Sequence, residues 1–320
     1  MDKRTLSGTQ LTVSRACFGT MTFGSQTDAS AAAYMVDVCL DRGINFLDTA
    51  RNYNDGGSEQ LLGQVLGARR KDVVVASKVG MKAGKYPAGL TRDLILTAIE
   101  ATLRRLKTDY LDLYYLHMPD WQTPVEESLA AMDRLVQEGK VRYVATSNYP
   151  SWKLSRMLYM MEQEGRRPPR IAQQLYNLIS RRLEDEFVPF AREVGVSIIA
   201  YNPLAGGLLT GKHKSNAPVP GTRFDGNRVY LDRYWYPATL EAVLRLGIIA
   251  SAAGRSMVSL ALNWLLHHTP VDCILFGASR LEQLQENLRA LDEGPLDATA
   301  VAACDEVWRG LYGPSPKYML

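Results

Sequence analysis

One pattern limits what this chain can fold into. A short apolar run rich in β-branched residues is followed by an amphipathic stretch with helical spacing, and the unit recurs along the chain. Eight such runs stand at 16–20, 46–50, 73–79, 111–117, 141–147, 171–176, 197–201 and 273–276. Runs that are apolar on both faces and alternate with helices specify parallel strands covered by helices. Eight in one chain fit a closed (β/α)8 TIM barrel better than an open sheet. The strand-end spacing agrees: 30 residues separate Asp48 from Lys78, 39 separate Lys78 from His117, and 30 separate His117 from Ser147. One interval breaks the rhythm, the 76 residues from Tyr201 to Gly277. It holds a stretch of Gly, Pro, Asn and aromatic residues at about 211–237 and an extra helix, and long loops of this kind are usually functional. No linker or composition shift divides the 320 residues, so one barrel domain over 1–320 is expected.

The helical stretches carry start and stop signals. Asp28 caps one that runs to Asp41 and stops at Gly43, Thr91 caps the stretch through Lys107, and Pro124 opens the one ending at Gly139. Later helices are expected at 151–164, 184–194, 240–252, 256–268 and 281–291.

In such barrels the working residues sit at the C-terminal ends of the strands. FLDTA puts Asp48 at one end with Tyr53 in the loop beyond, VVASKVG presents Lys78, and LYYLHMPD presents His117. Strands lie about 4.8 Å apart, so groups on three consecutive tips can meet. A phenol is a weak acid, with a reference pKa near ~10. A neighbouring ammonium favours the phenolate and so strengthens the acid, and a carboxylate holds that ammonium in place. A histidine beside them can orient a substrate oxygen. Taken singly, Asp48 reads equally as a loop cap, Lys78 as a snorkelling cation and His117 as a core histidine. The ordered set on successive tips points instead to proton delivery to a carbonyl.

Composition excludes other classes. Apolar residues make up 46% and charged residues 22%, with a net charge of +3, so neither a nucleic-acid footprint nor a disordered chain is indicated. No stretch reaches membrane-spanning length and MDKRTLSGTQ lacks a leader's apolar run, so a cytoplasmic protein with no membrane partner is expected. Cys17, Cys39, Cys273 and Cys304 lie in apolar surroundings with no CxxC or Cys/His spacing, and read as buried thiols rather than metal ligands.

FLDTARNY with GGSEQLLG, ASKVG, YYLH, TSNY, QQLYN, YNPLAGGLLTGK and GASRLEQLQENL together resemble the aldo-keto reductase family over essentially the whole chain. That resemblance makes Asp48, Tyr53, Lys78 and His117 the catalytic tetrad, unsubstituted. It implies NADP(H) lying extended across the barrel mouth, not in a Rossmann site, and no GxGxxG follows the first strand. Ser147, Asn148 and Gln173 would hold the carboxamide, and Tyr201 would stack on the nicotinamide. Residues 202–212, with Asn202, Pro203, Leu204, Gly206, Gly207, Leu208, Gly211 and Lys212, would wrap the pyrophosphate. Gly277, Ser279, Arg280, Gln283, Glu286 and Asn287 would take the 2′-phosphate and adenine, with Arg223 as a second cation. Two arginines suit a phosphomonoester better than a bare ribose hydroxyl, which favours NADP over NAD.

GTRFDGNRVYLDRYW, NWLLHHTP and LDEGPLD resemble the aflatoxin-aldehyde and succinic-semialdehyde reductase branch. There the long loop lends a Tyr and an Arg to an acidic substrate end, here Tyr230 and Arg233. Tyr230 and Trp235 read equally as seals of the loop. The expectation is an NADPH-dependent aldehyde reductase acting on small carbonyl substrates as a monomer or homodimer. Two other readings stay open: a channel-associated regulatory subunit that senses NADP(H), and a dehydrogenase run in the oxidative direction.

Overall fold

Strand alternation sets the architecture found in a computed structural model, which describes residues 1–213 and 217–313. The chain opens with a hairpin, β1 (Lys3–Thr5) against β2 (Thr12–Ser14), which the apolar-run pattern does not reveal because each strand has three residues. The barrel strands are β3 (Ala16–Gly19), β4 (Phe46–Asp48), β5 (Val74–Val79), β6 (Leu111–Leu116), β7 (Val141–Ser147), β8 (Ile171–Leu175), β9 (Ser197–Tyr201) and β10 (Cys273–Gly277). They close in the order β10-β3-β4-β5-β6-β7-β8-β9, a (β/α)8 TIM barrel as expected from the sequence. The paired strands are parallel, with Asp48 opposite Ala76, Lys78 opposite Tyr115 and Ser147 opposite Gln173.

Side chains two apart on a strand share a face. Cys17, Phe46, Val74, Ala76, Leu113, Tyr115, Ala145, Ile171, Ile199 and Cys273 pack into one core cluster, joined by Leu6, Leu11 and Val13 of the hairpin segment. Two residues further along these faces come Asp48, Lys78, His117, Ser147 and Gln173. The inward face of each of those strands therefore turns from apolar to polar at its C-terminal end. All four cysteines are buried free thiols.

Most helices among the described residues follow their signals, but those at 57–66 and 298–312 are not among those expected from the sequence. They are α1 (Ala29–Asp41), α2 (Gly57–Leu66), α3 (Arg92–Leu106), α4 (Val125–Gln137), α5 (Ser151–Gln163), α6 (Phe187–Val194), α7 (Arg228–Tyr234), α8 (Pro237–Ala252), α9 (Met257–His267), α10 (Leu281–Asp292) and α11 (Ala298–Tyr312). Asp28 caps α1 through the Ala31 N–H. Thr91 does sit before α3, but its side chain makes no capping bond, and the first-turn donor of Arg92 goes to Glu127 instead at 2.8 Å. The stretch expected at 184–194 is a 3-10 turn, Arg182–Glu184, followed by α6, because Glu186 is non-helical at φ −141°. The stretch expected as irregular at 211–237 carries α7, capped by Asn227 on the Tyr230 N–H. Its residues 214–216 lie outside the described residues.

Contacts group the chain into two compact units, one of Met1–Gln174, Glu184–Ala200 and Val271–Leu284, the other of Leu175–Leu183, Tyr201–Pro270 and the chain from Gln285. The first contains the barrel strands except for Leu175 of β8 and Tyr201 of β9. The second is built on Trp264, packed edge-on by Tyr176 at 5.7 Å and covered by the Arg181 guanidinium, which also pairs with Asp305. Among the described residues no single helix is long and apolar enough to cross a membrane.

Within the first unit α2 approaches α3 so closely that Gly63 is required. A Cβ there would lie 2.5 Å from the Arg105 carbonyl oxygen and 2.6 Å from Leu106 Cα, both backbone. Gly→Ala in an open helix gains up to about 1 kcal/mol, whereas overpacking costs about 1–3 kcal/mol. Gly63→Ala should therefore destabilise the protein by about 1–2 kcal/mol in a denaturant melt, and a stabilised variant would refute the close approach.

Candidate active site

The loop after β4 begins the site. Tyr53 enters a 3-10 turn whose Asn54 and Asp55 are left-handed at φ 50° and 52°. Side chains hold these conformations. The Asn54 amide donates to the carbonyls of Met21 and Phe23, and Asp55 accepts from the Gly84 N–H at 2.7 Å. The GGSE string that follows fastens α2 beneath the loop. Ser58 donates to the Thr20 carbonyl at 2.7 Å and hydrogen-bonds the Thr49 hydroxyl at 2.9 Å. Glu59, fully buried, accepts from Ser77 and from Arg105 at 2.5 and 2.7 Å. Reasoning from strand tips misses Ser58 and Glu59; their signal in the sequence is the GGSE string itself.

Lys78 is completely buried and its three N–H bonds have three acceptors: Asp48 Oδ1, the Thr49 carbonyl at 2.8 Å and the Tyr53 hydroxyl at 3.4 Å. The other oxygen of Asp48 accepts from Gln173 Nε2 at 2.9 Å. Burial alone pushes the Lys78 pKa down, but Asp48 and then Tyr53 outweigh it and the net shift is upward, so the ammonium stays charged. His117 stands edge-on to the Tyr53 ring with centroids 6.2 Å apart. Burial and then the Lys78 charge lower its pKa to about 3, so the imidazole is neutral at physiological pH. Its Nδ1 is buried without a hydrogen-bond partner. The structure thus brings Asp48, Tyr53, Lys78 and His117 together.

The other expected site residues fall into separate groups. On neighbouring tips, the Asn148 amide donates to the His117 carbonyl and to Ser147 Oγ, both at 3.0 Å. Gln173, expected at a carboxamide, has its amide nitrogen on Asp48. At the start of α10, Ser279 gives both its N–H and its hydroxyl to Gln283 Oε1 at 2.9 and 3.0 Å. Gly277, Arg280 and Glu286 are exposed, and Asn287 is buried.

The second unit holds the glycine-rich segment after Tyr201. Pro203 and Leu208 are buried and Leu204 half-buried. Asn202, left-handed at φ 62°, accepts the Gly206 N–H at 2.7 Å and donates to the Tyr234 hydroxyl at 2.9 Å. Asn177 donates to the same hydroxyl and to the Asn202 carbonyl. Tyr234 and Asn177 hold Asn202 in place and carry no local sequence signal. Gly206, Gly207 and Gly211 have φ of 70°, 100° and 75°. A Cβ on Gly207 would lie 3.0 Å from Lys212 Nζ. Bare backbone beneath an ammonium fits a cofactor's phosphates.

In the long loop, Phe224 is buried among Tyr230, Tyr234, Trp235 and His213. Tyr230 seals this cluster and its hydroxyl accepts from Arg223 at 3.3 Å. Arg233 lies over the Tyr230 ring at 5.9 Å, while Asp232 pairs with Arg228.

A phenol, a buried ammonium and a neutral imidazole thus meet at the C-terminal mouth of a parallel barrel, an arrangement able to move a proton to or from a carbonyl oxygen. Sequence comparison agrees. The profile of the Aldo/keto reductase family matches residues 15–309. The chain is 38% identical to rat (Rattus norvegicus) aflatoxin B1 aldehyde reductase member 2 over 94% of its length and 86% of that protein's. It is 38% identical to human aldo-keto reductase family 7 member A3, over 94% and 95% of the two chains. It is also 35% identical to a probable voltage-gated potassium channel subunit beta of rice (Oryza sativa subsp. japonica), over 92% and 93%. The chain belongs to the aldo/keto reductase family, and it is an oxidoreductase that works with a nicotinamide cofactor.

The depressed His117 pKa sets a pH dependence. The unfolded imidazole titrates at 6.5 and the folded one at about 3, so between these values the unfolded chain binds the extra proton and stability falls as pH falls. Going from pH 6.5 to 4.5 should remove roughly 2 kcal/mol through this residue alone. Denaturant melts at both pH values should therefore show a loss smaller by that amount in His117→Gln than in the parent. Equal losses would mean that His117 is not buried as a neutral ring.

Proposed function

We propose that this protein reduces aldehydes to alcohols with NADPH, Tyr53 supplying the proton. When bound, the nicotinamide supplies a hydride to the carbonyl carbon. The observation that carries the reading is the Tyr53 hydroxyl at 3.4 Å from a buried, three-coordinated Lys78 ammonium. In that bond Tyr53 accepts, so its own O–H is not consumed by Lys78 and can point to a substrate oxygen. As the proton leaves, the developing phenolate meets a cation already desolvated and held by Asp48, so little reorganisation is needed. His117, neutral, can donate a single N–H to the same oxygen and fix its angle without competing as an acid.

Cofactor roles follow the family resemblance: Ser147, Asn148 and Gln173 toward the carboxamide, Tyr201 toward the ring, and 202–212 with Lys212 toward the pyrophosphate. Preference for NADP rests on Arg280, exposed beside Ser279 at the start of the twelve-residue α10. Arg223 is the weaker second cation, since its guanidinium is occupied by Tyr230. Arg223 and Arg233 both lean on Tyr230, and among the described residues neither has a carboxylate partner, which favours aldehydes that carry an acidic group. The likeness to channel β-subunits supports a second reading, a cofactor sensor with little turnover.

Steady-state assay of Tyr53→Phe separates these. General acids contribute roughly 10²–10⁴-fold, so kcat should fall at least about a hundredfold while cofactor binding survives. Near-normal turnover in that variant would remove Tyr53 from the chemistry, and negligible turnover in the parent on a panel of aldehydes would favour the sensor. Arg280→Ala, losing a charge-assisted bond of about 1.5–3 kcal/mol, should weaken NADPH roughly tenfold or more and leave NADH nearly unchanged. Equal weakening of both cofactors would show that Arg280 does not read the phosphate.

A further inference from the structure

Arg51 lies between Asp48 and Tyr53 and has no part in the chemistry above. The residue is 3% exposed, yet among the described residues no acceptor hydrogen-bonds its side chain and no carboxylate pairs with it. Nη1 is sealed from solvent without a partner. Its visible neighbour is the Tyr86 ring, 5.0 Å from the guanidinium carbon to the centroid. A cation taken out of water and left unpaired is unfavourable unless an anion compensates it.

Space for such an anion is present. Arg51 lines a cleft of about 190 Å³ with Asp55, the 83–86 turn and the Ala98, Ala101 and Arg105 face of α3. That is several times the roughly 30 Å³ share of one water molecule. The charges around it do not cancel. Arg105 is matched by Glu59, and Asp55 is engaged by the Gly84 N–H. Lys85 stands over the same Tyr86 ring at 5.7 Å, and among the described residues it has no carboxylate partner. Against Arg51 and Lys85 the cleft lining offers one acidic side chain, Asp55, so a positive surplus remains. A guanidinium edge with an ammonium nearby and alanine walls suits a compact oxyanion.

We propose that this cleft binds a small phosphate-type oxyanion on Arg51 and Lys85, separate from the reduction site, and that occupancy fastens the loop carrying Tyr53 to the 83–86 turn. The source is either inorganic phosphate or the phosphoryl group of a small phosphomonoester.

Isothermal titration tests this at fixed ionic strength set by sodium chloride, with inorganic phosphate and glycerol 3-phosphate as separate ligands. Protein saturated with NADP⁺ and protein without it are both titrated, so that ions drawn to Arg280 are told apart and the result stands whether or not the cofactor reading holds. The parent should show one saturable site in both states, and the ligand bound more tightly identifies the source. Arg51→Gln should weaken it at least about tenfold, Lys85→Gln severalfold, and Arg280→Ala not at all. Should Arg51→Gln fail to fold, the exposed Lys85→Gln decides. Absence of saturable binding in the parent, or unchanged binding in Arg51→Gln or in a folded Lys85→Gln, overturns the proposal.

Discussion

A lysine ammonium with no solvent contact is expensive to bury, and the layout of the barrel mouth follows from how Lys78 is compensated. Coulomb attraction repays desolvation only when geometry is good and every donor is satisfied. Here Asp48, the Thr49 carbonyl and Tyr53 take the three donors, and Gln173 completes Asp48 from the far side. Lys78 stands on β5, its three acceptors on β4 and the loop after it, and Gln173 on β8, so barrel closure and charge compensation depend on one another. Removing one partner of a buried pair typically costs about 3–5 kcal/mol. Of this set Tyr53 stands farthest along the loop, where its hydroxyl contacts a cation the fold already holds.

The period of two along each strand made most of this legible in advance. Val74, Ala76 and Lys78 share a face, as do Leu113, Tyr115 and His117, and only the last residue of each row has a basic side chain. A polar residue continuing an apolar inward face is readable from sequence once the strands are placed. Their spacing placed them with small errors at the ends, where strands such as β4 stop two residues early because Thr49 and Ala50 already turn into the loop. The start of α1 was equally plain, since Asp28 acts locally.

The features that a sequence hides act over long distances along the chain. Asn177 and Tyr234 are 57 residues apart, and their shared support of Asn202 exists only after the chain has folded. The same holds for Glu59, whose partners Ser77 and Arg105 lie 18 and 46 residues away. The short β1–β2 hairpin has too few residues for periodicity, and α7 was hidden by the Gly, Asn and aromatic residues around it. Arg51 was invisible for another reason: within TARNY it looks like an exposed loop cation, and only the fold shows it buried.

Three asparagines explain how irregular turns can hold rigid groups. Asn54, Asn148 and Asn202 all take left-handed φ, at 50°, 62° and 62°. Each follows a strand of the barrel, where the chain must turn sharply. Glycine would adopt these angles with less strain, but it has no side chain to hold the turn once made. Each amide here fastens the turn as well as permitting it. Asn54 bonds Met21 and Phe23, Asn148 bonds the His117 carbonyl, and Asn202 receives the Gly206 N–H. Asparagine tolerates the left-handed region better than most residues because its short polar group hydrogen-bonds locally. Its modest backbone strain is thus offset by bonds that fix the segments carrying Tyr53, His117 and the glycine-rich loop. At Asn148 and Asn202 the residues expected to touch a cofactor also shape their own turns, so substituting either one would disturb the framework along with any ligand contact.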